Sequence, residues 1–242
     1  MAHTLSLSKY LNQANTMTQF TRLIMLFRNP FFFGAYLLLI SISFLFLDKP
    51  IALFFHTHSN LFGLHTFFEW ITLFGKGTYY LIGFLGAFLF FRFVYKNERL
   101  ANTFLFLWIA ILMAALACDV LKIILARARP VEFFTHGIYG FQFFKWQYAF
   151  GSFPSGHATV IAAIMMGLGC FKPRYCWLFL LMILLIASSR VFLTAHYLSD
   201  VLAGFYLSTL CVSILFNKWP SVRLPQYVID SSNLGINDPK GR

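Results

Sequence analysis

Charge is what this chain has least of. Of 242 residues only 11% are Asp, Glu, Lys or Arg, and eight are acidic, whereas a soluble domain carries about a quarter charged residues. That excludes an ordinary water-soluble globule. Cysteine is scarce as well: Cys118, Cys170, Cys176 and Cys211 all fall within apolar runs or at their expected cytoplasmic ends. Disulfides rarely form there, so no structural bridge is expected. The first apolar run begins late and ends at Leu47-Asp48-Lys49-Pro50 without a small-residue cleavage site, which argues for a retained anchor over a removed signal peptide. Neither an internal repeat nor a low-complexity tract is evident, and the length suits one compact bundle without a further sizeable soluble domain.

What is present is apolar: 59% hydrophobic residues with 32 phenylalanines and a mean hydropathy of +0.71. The expected fold is all-α, an integral membrane bundle of about six transmembrane helices, each near the roughly 17 to 25 residues a span needs. The hydropathy places them at 30–47, 78–95, 101–125, 156–171, 176–193 and 197–216. Ile51 to Phe74 is also apolar, but Asn60, Gly63 and Glu69 interrupt it and His56, His58 and His65 dot it, so it reads as an interfacial or re-entrant segment. Three regions follow: an amphipathic cytoplasmic segment over 1–29, the membrane domain over 30–216 and a cytoplasmic tail over 217–242.

Basic residues set the orientation. With both termini cytoplasmic, that side holds twelve of the nineteen Lys and Arg, among them Arg28, Arg92, Lys172, Arg174 and Lys218. Four of the other seven, Lys122, Arg127, Arg129 and Arg190, lie in or beside polar clusters, so the bias elsewhere obeys the positive-inside rule. The formal net charge of +11 then reflects topology and a cationic site, and needs no nucleic-acid partner.

Three short clusters hold most of the polar chemistry: Lys122 with Arg129-Pro130, Pro154-Ser155-Gly156-His157, and Ser189-Arg190 with His196 and Asp200. Cations near hydrocarbon are expensive unless an anion compensates them, and three such residues point to an anionic ligand. Asp119, three residues before Lys122, offers that lysine a purely structural partner. Arg127 reads equally well as an interfacial anchor. Ser155 and Gly156 suit a helix start whose N–H groups favour a phosphate, and His157 in that first turn is placed to deliver a proton. His196 and Asp200 stand four apart, on one helix face, where a carboxylate can fix an imidazole tautomer and leave the other nitrogen as nucleophile or base.

These residues resemble the type 2 phosphatidic acid phosphatase family, whose signature reads Lys-x6-Arg-Pro, Pro-Ser-Gly-His and Ser-Arg-x5-His-x3-Asp. Every defining position is matched, in order. The resemblance implies that His196 attacks phosphorus to form a phosphohistidine, that Asp200 orients it and that His157 protonates the leaving group. Lys122, Arg129, Arg190, Ser155 and the Gly156 backbone would bind the phosphate oxygens. It implies neither metal nor cofactor, fixed cations replacing magnesium. Vanadium haloperoxidases share the signature, but they are soluble and this composition argues against them. A non-catalytic transporter explains six spans with buried charge, yet does not require a second histidine at the head of a Pro-Ser-Gly turn.

The expected partners are the bilayer and a phosphorylated lipid: undecaprenyl diphosphate, lipid A, phosphatidylglycerol phosphate or phosphatidate. The expected setting is a bacterial inner membrane with the site facing the periplasm. A phosphotransferase using the same phosphohistidine stands as an alternative, and the oligomeric state is not legible. The aromatic loop between Val131 and Phe153 suits either lipid entry or interfacial anchoring. His56, His58 and His65 have a spacing that a zinc ion accepts, but without an obvious further ligand beyond Glu69 they read as interfacial residues.

Overall fold

The computed structural model describes residues 19–58 and 63–219, and all its named elements are helices. Helix α1, over 19–26, turns Phe20 and Ile24 inward at a four-residue spacing, followed by Phe27. Helix α2 (Pro30–Ile42) starts on Asn29, whose side chain accepts the N–H groups of Phe31 and Phe32, with a proline in the first turn where its missing N–H does no harm. One wide, π-helical turn (Ser43–Leu47) carries it on into α3 (Asp48–Thr57). Helices α4 (Leu64–Leu73) and α5 (Gly77–Leu89) follow, then α6 (Glu98–Leu125), the short α7 (Pro130–His136), α8 (Gly156–Phe171), α9 (Cys176–Phe192) and α10 (Leu198–Lys218).

Among the described residues, five helical stretches are long and apolar enough to cross a membrane: Pro30–Thr57, Leu64–Val94, Glu98–Leu125, Pro173–Phe192 and Leu198–Lys218. The sixth apolar helix, α8, has 16 residues. The described residues of the segment from Ile51 to Phe74, which the sequence sets apart as interfacial or re-entrant, do not form an element of their own. They are divided between α3, which extends the first stretch, and α4, which opens the second. Asn60, Gly63 and Glu69 set this segment apart in the sequence, and Asp48 ends the first expected span just before it, because its charge counts in a hydropathy profile as a break. In the folded chain Asp48 is buried against Arg127, and the helix runs through it.

The core is inside the bundle while much of the outer surface is oily. On α6, Phe106, Leu107, Ala110, Ile111 and Ala114 recur at helical spacing and pack against Ile164 of α8 and Val212 and Leu215 of α10. Leu38, Ile82 and Leu184 are exposed on α2, α5 and α9. In water such faces would associate, whereas in hydrocarbon they match the solvent and the helices satisfy their own backbone groups.

Two features place the site. A straight helix of α8's length rises about 24 Å, short of the roughly 30 Å hydrocarbon layer, so it cannot span that layer end to end as its longer neighbours can. And α10 approaches α8 so closely that a Cβ on Gly204 would come 2.8 Å from the Ser155 carbonyl oxygen and 2.9 Å from Thr159 Oγ1. Glycine allows this contact. The loop after α6 then closes over the same end: Ala128 N–H donates to the Gly140 carbonyl, Arg129 N–H to Ala149 and Ser152 N–H to Arg127.

Candidate active site

His196 lies in the turn between α9 and α10, where its N–H donates to the Arg190 carbonyl. Its ring is buried. Nδ1 stands 2.9 Å from the carbonyl oxygen of Ser152 and 3.6 Å from Asp200 Oδ2. A carbonyl only accepts, so this contact assigns the proton to Nδ1 and leaves the lone pair on Nε2. Asp200 is therefore a near neighbour of the ring, and the tautomer is fixed first by a backbone carbonyl. Burial pushes the His196 pKa down to about 4, helped by Arg129 and Arg190 and opposed by Asp200; the ring is neutral at ordinary pH.

Nε2 looks toward Arg129 Nη1 at 3.5 Å. Arg129 donates to the carbonyls of Tyr148, Ala195 and Gly151 and stacks on the Tyr148 ring. Carbonyls hold the fork without cancelling its charge, although burial draws its pKa below the usual arginine value. Arg190, in the last turn of α9, donates to Thr72 Oγ1 at 2.7 Å. Its Nε and the Ser155 hydroxyl are buried and have no hydrogen-bond partner among the described residues. Buried donors without partners are uncommon. Ser155 does not cap α8 with its side chain; instead its N–H donates to the Asp200 carbonyl, tying α8 to α10.

Lys122 comes to the site from the last turn of α6. Its Nζ lies 3.6 Å from Asp119, so the structural pairing exists, and it also reaches Gly156, where a Cβ would stand 3.0 Å from the ammonium. His157 packs on Gly75, whose missing side chain makes room: a Cβ there would meet His157 Cδ2 at 2.6 Å. It faces the charges of Arg190, Lys122 and Arg129 and the His196 ring. On its other side is a cavity of about 540 Å³ between α5, α6 and α8, lined by Tyr79, Leu81, Ile111, Cys118 and Val160 among others.

All eight residues singled out from the sequence thus meet at one end of the bundle. Arg127 needs correction: it is no interfacial anchor. It is fully buried, donating 2.5 Å to Asp200 Oδ1 and 2.7 Å to Asp48 Oδ2. Burial works against its charge, but Asp200 and Asp48 more than reverse this and raise its pKa. Sequence reasoning missed Asp48, Ser152 and Gly75 altogether. The one available signal was Asp48 itself, a carboxylate within an apolar stretch. Among the described residues no three His, Cys, Asp or Glu are grouped to hold a metal. His56 stacks on Phe134, His58 contacts the Phe54 carbonyl and His65 approaches Glu69 at 3.6 Å.

A buried neutral imidazole facing fixed cations at one end of a bundle of apolar helices is the arrangement of an integral membrane protein with a polar site inside its helices. The chain belongs to the PAP2 superfamily, whose family model matches residues 103–223, half of its length. Lipid A 1-phosphatases of Rhizobium johnstonii and Rhizobium etli are each 36% identical to it over 99 residues. That match spans 41% of this chain and only 41% and 43% of theirs. A transmembrane PAP2 type phosphatidylglycerolphosphate phosphatase from Bacillus subtilis superposes with a TM-score of 0.40 at 16% identity, over 85% of this chain and 94% of that one.

Proposed function

We propose that the protein is a membrane lipid phosphatase that works without a metal ion, through a phosphohistidine on His196, at the periplasmic face of a bacterial inner membrane. The observation that carries this reading is the Nδ1 contact to the Ser152 carbonyl, which leaves the Nε2 lone pair, held only by a long 3.5 Å contact from Arg129 Nη1, as the nucleophile. In the first step Nε2 bonds to phosphorus as the ester or anhydride P–O bond breaks, and His157 gives its proton to the departing oxygen. In the second, water attacks the phosphohistidine, its proton returns to His157, and inorganic phosphate leaves with Nε2 restored. Arg129, Arg190, Lys122, Ser155 and the Gly156 backbone balance the charge on the phosphoryl oxygens.

Lipid A phosphate is placed first among substrates, because two relatives carry that activity in their names. Undecaprenyl diphosphate, phosphatidylglycerol phosphate and phosphatidate complete the panel. Purified protein in detergent should release inorganic phosphate from at least one of them, in EDTA, with vanadate competing. His196→Ala should lower turnover at least about a thousandfold. His157→Ala should spare an aryl phosphate, whose leaving group needs no proton, more than an alkyl phosphate. Release that requires magnesium, or that survives His196→Ala, overturns the mechanism; transfer of phosphate to a second lipid in place of water identifies a phosphotransferase.

A further inference from the structure

Behind the candidate nucleophile lies a second polar layer that the reaction scheme above does not use. Asp48 of α3, Arg127 of the loop after α6 and Asp200 of α10 are all buried, two carboxylates on one guanidinium. Arg127 spans them with separate nitrogens, Nη1 to Asp200 and Nη2 to Asp48. Ser199 completes the bridge: its N–H donates to Asp48 Oδ1 at 3.0 Å, its hydroxyl bonds Asp48 Oδ2 and accepts from Arg127 Nη1 at 2.6 Å. Ser43 Oγ adds a bond to Asp48 Oδ1. The rings of Tyr197 and Phe44 lie against the guanidinium at 4.4 and 4.8 Å.

The layer reaches His196 by two routes. Asp200 Oδ1 meets Arg127, while Asp200 Oδ2 accepts from Ser152 Oγ and the Tyr197 N–H and faces His196 Nδ1. The backbone carbonyl of Arg127 meanwhile receives the Ser152 N–H, and Ser152 is the residue whose own carbonyl holds Nδ1. One arginine therefore secures both groups that orient the ring. We propose that Asp48 and Arg127 are positioning residues for the reaction of His196, holding Asp200 in place and leaving one net negative charge behind the imidazole. This rests on the phosphohistidine reading above.

The charge count explains why two carboxylates are present. As Nε2 bonds to phosphorus the imidazole ring becomes cationic. A lone Arg127–Asp200 pair is neutral and offers that ring little, whereas the triad with Asp48 remains negative and stabilises it. The other charges facing His196 are Arg129 from the loop and Arg190 from α9, with His157 from α8, so the triad is the only negative group among them in the described residues.

Asp48→Asn keeps the shape and removes the charge. It should lower the pH midpoint for acylation of His196 by diethyl pyrocarbonate, followed by mass spectrometry, by about half a unit. Turnover of dioleoyl phosphatidate should fall about tenfold with KM within about twofold, since the phosphate-binding cations are untouched. A purely structural role would change stability and leave the acylation midpoint alone. A folded Asp48→Asn protein whose midpoint and turnover match the wild type overturns the inference. Should that variant not fold, Arg127→Lys carries the test, because one ammonium cannot bridge both carboxylates: a similar turnover loss supports the proposal and wild-type turnover sinks it. A wild-type chain that releases no phosphate defeats the phosphatase reading, and the acylation midpoint, which needs no substrate, still decides this one.

Discussion

A single imidazole carries the proposed chemistry, and its burial has a measurable consequence. His196 takes up a proton near pH 4 in the folded protein and near 6.5 in the unfolded chain. Between those values the unfolded state binds more protons, so stability falls as pH drops from about 6.5 to about 4, by at most roughly 3 kcal/mol. Thermal unfolding in detergent across this window should therefore decline more steeply for wild type than for His196→Gln, which has no proton to bind. Equal slopes would show that the ring titrates normally. The same neutrality is what the reaction asks of a nucleophile, so one residue's environment links stability to function.

At the level of helices, the site exists because α8 and α10 touch backbone to backbone. Gly204→Ala drives a methyl against the Ser155 carbonyl oxygen and, at 3.2 Å, the Thr159 amide nitrogen, and neither backbone atom can turn away. The two helices must separate, at a cost of about 1 to 3 kcal/mol. Both Ser155 and Asp200 would shift with them, since the Ser155 N–H is bonded to the Asp200 carbonyl. A lower unfolding temperature together with lost phosphate release is expected. Gly83→Ala on α5 is the control: nothing lies within 4 Å of its Cβ position, and alanine favours helix. If the Gly204 variant behaves like the Gly83 variant, the tight α8–α10 seam is not what holds the site.

For the molecule as a whole, the proposal that the site faces away from the cytoplasm rests on the distribution of basic residues along the sequence. Trp146 lies in the exposed aromatic loop on the site's side and Arg174 between α8 and α9 at the other end. In a background where Cys176, the half-buried native thiol, is serine, a cysteine at 146 should react with a membrane-impermeant thiol reagent on intact spheroplasts. One at 174 should react only after lysis. The opposite pattern would put the site in the cytoplasm and remove outer-leaflet lipids from the candidate substrates.

Composition and short motifs determined the setting and the cast. Scarce charge and long apolar runs dictate membrane helices, because hydrocarbon tolerates only backbone that satisfies itself. Lys122, Arg129, Ser155, Gly156, His157, Arg190, His196 and Asp200 could be picked out as polar residues at the ends of those runs, and the His196–Asp200 spacing follows from helical geometry. Tertiary structure alone decided the rest. Arg127 could not be told from an anchor, since its partner Asp48 lies 79 positions away and no local pattern records that distance. Asp48 looked like the end of a span because hydropathy scores a charge without its counter-ion. The His196 tautomer depends on the Ser152 carbonyl, a backbone group every residue possesses and no sequence motif distinguishes, so only the fold brings it 2.9 Å from the ring.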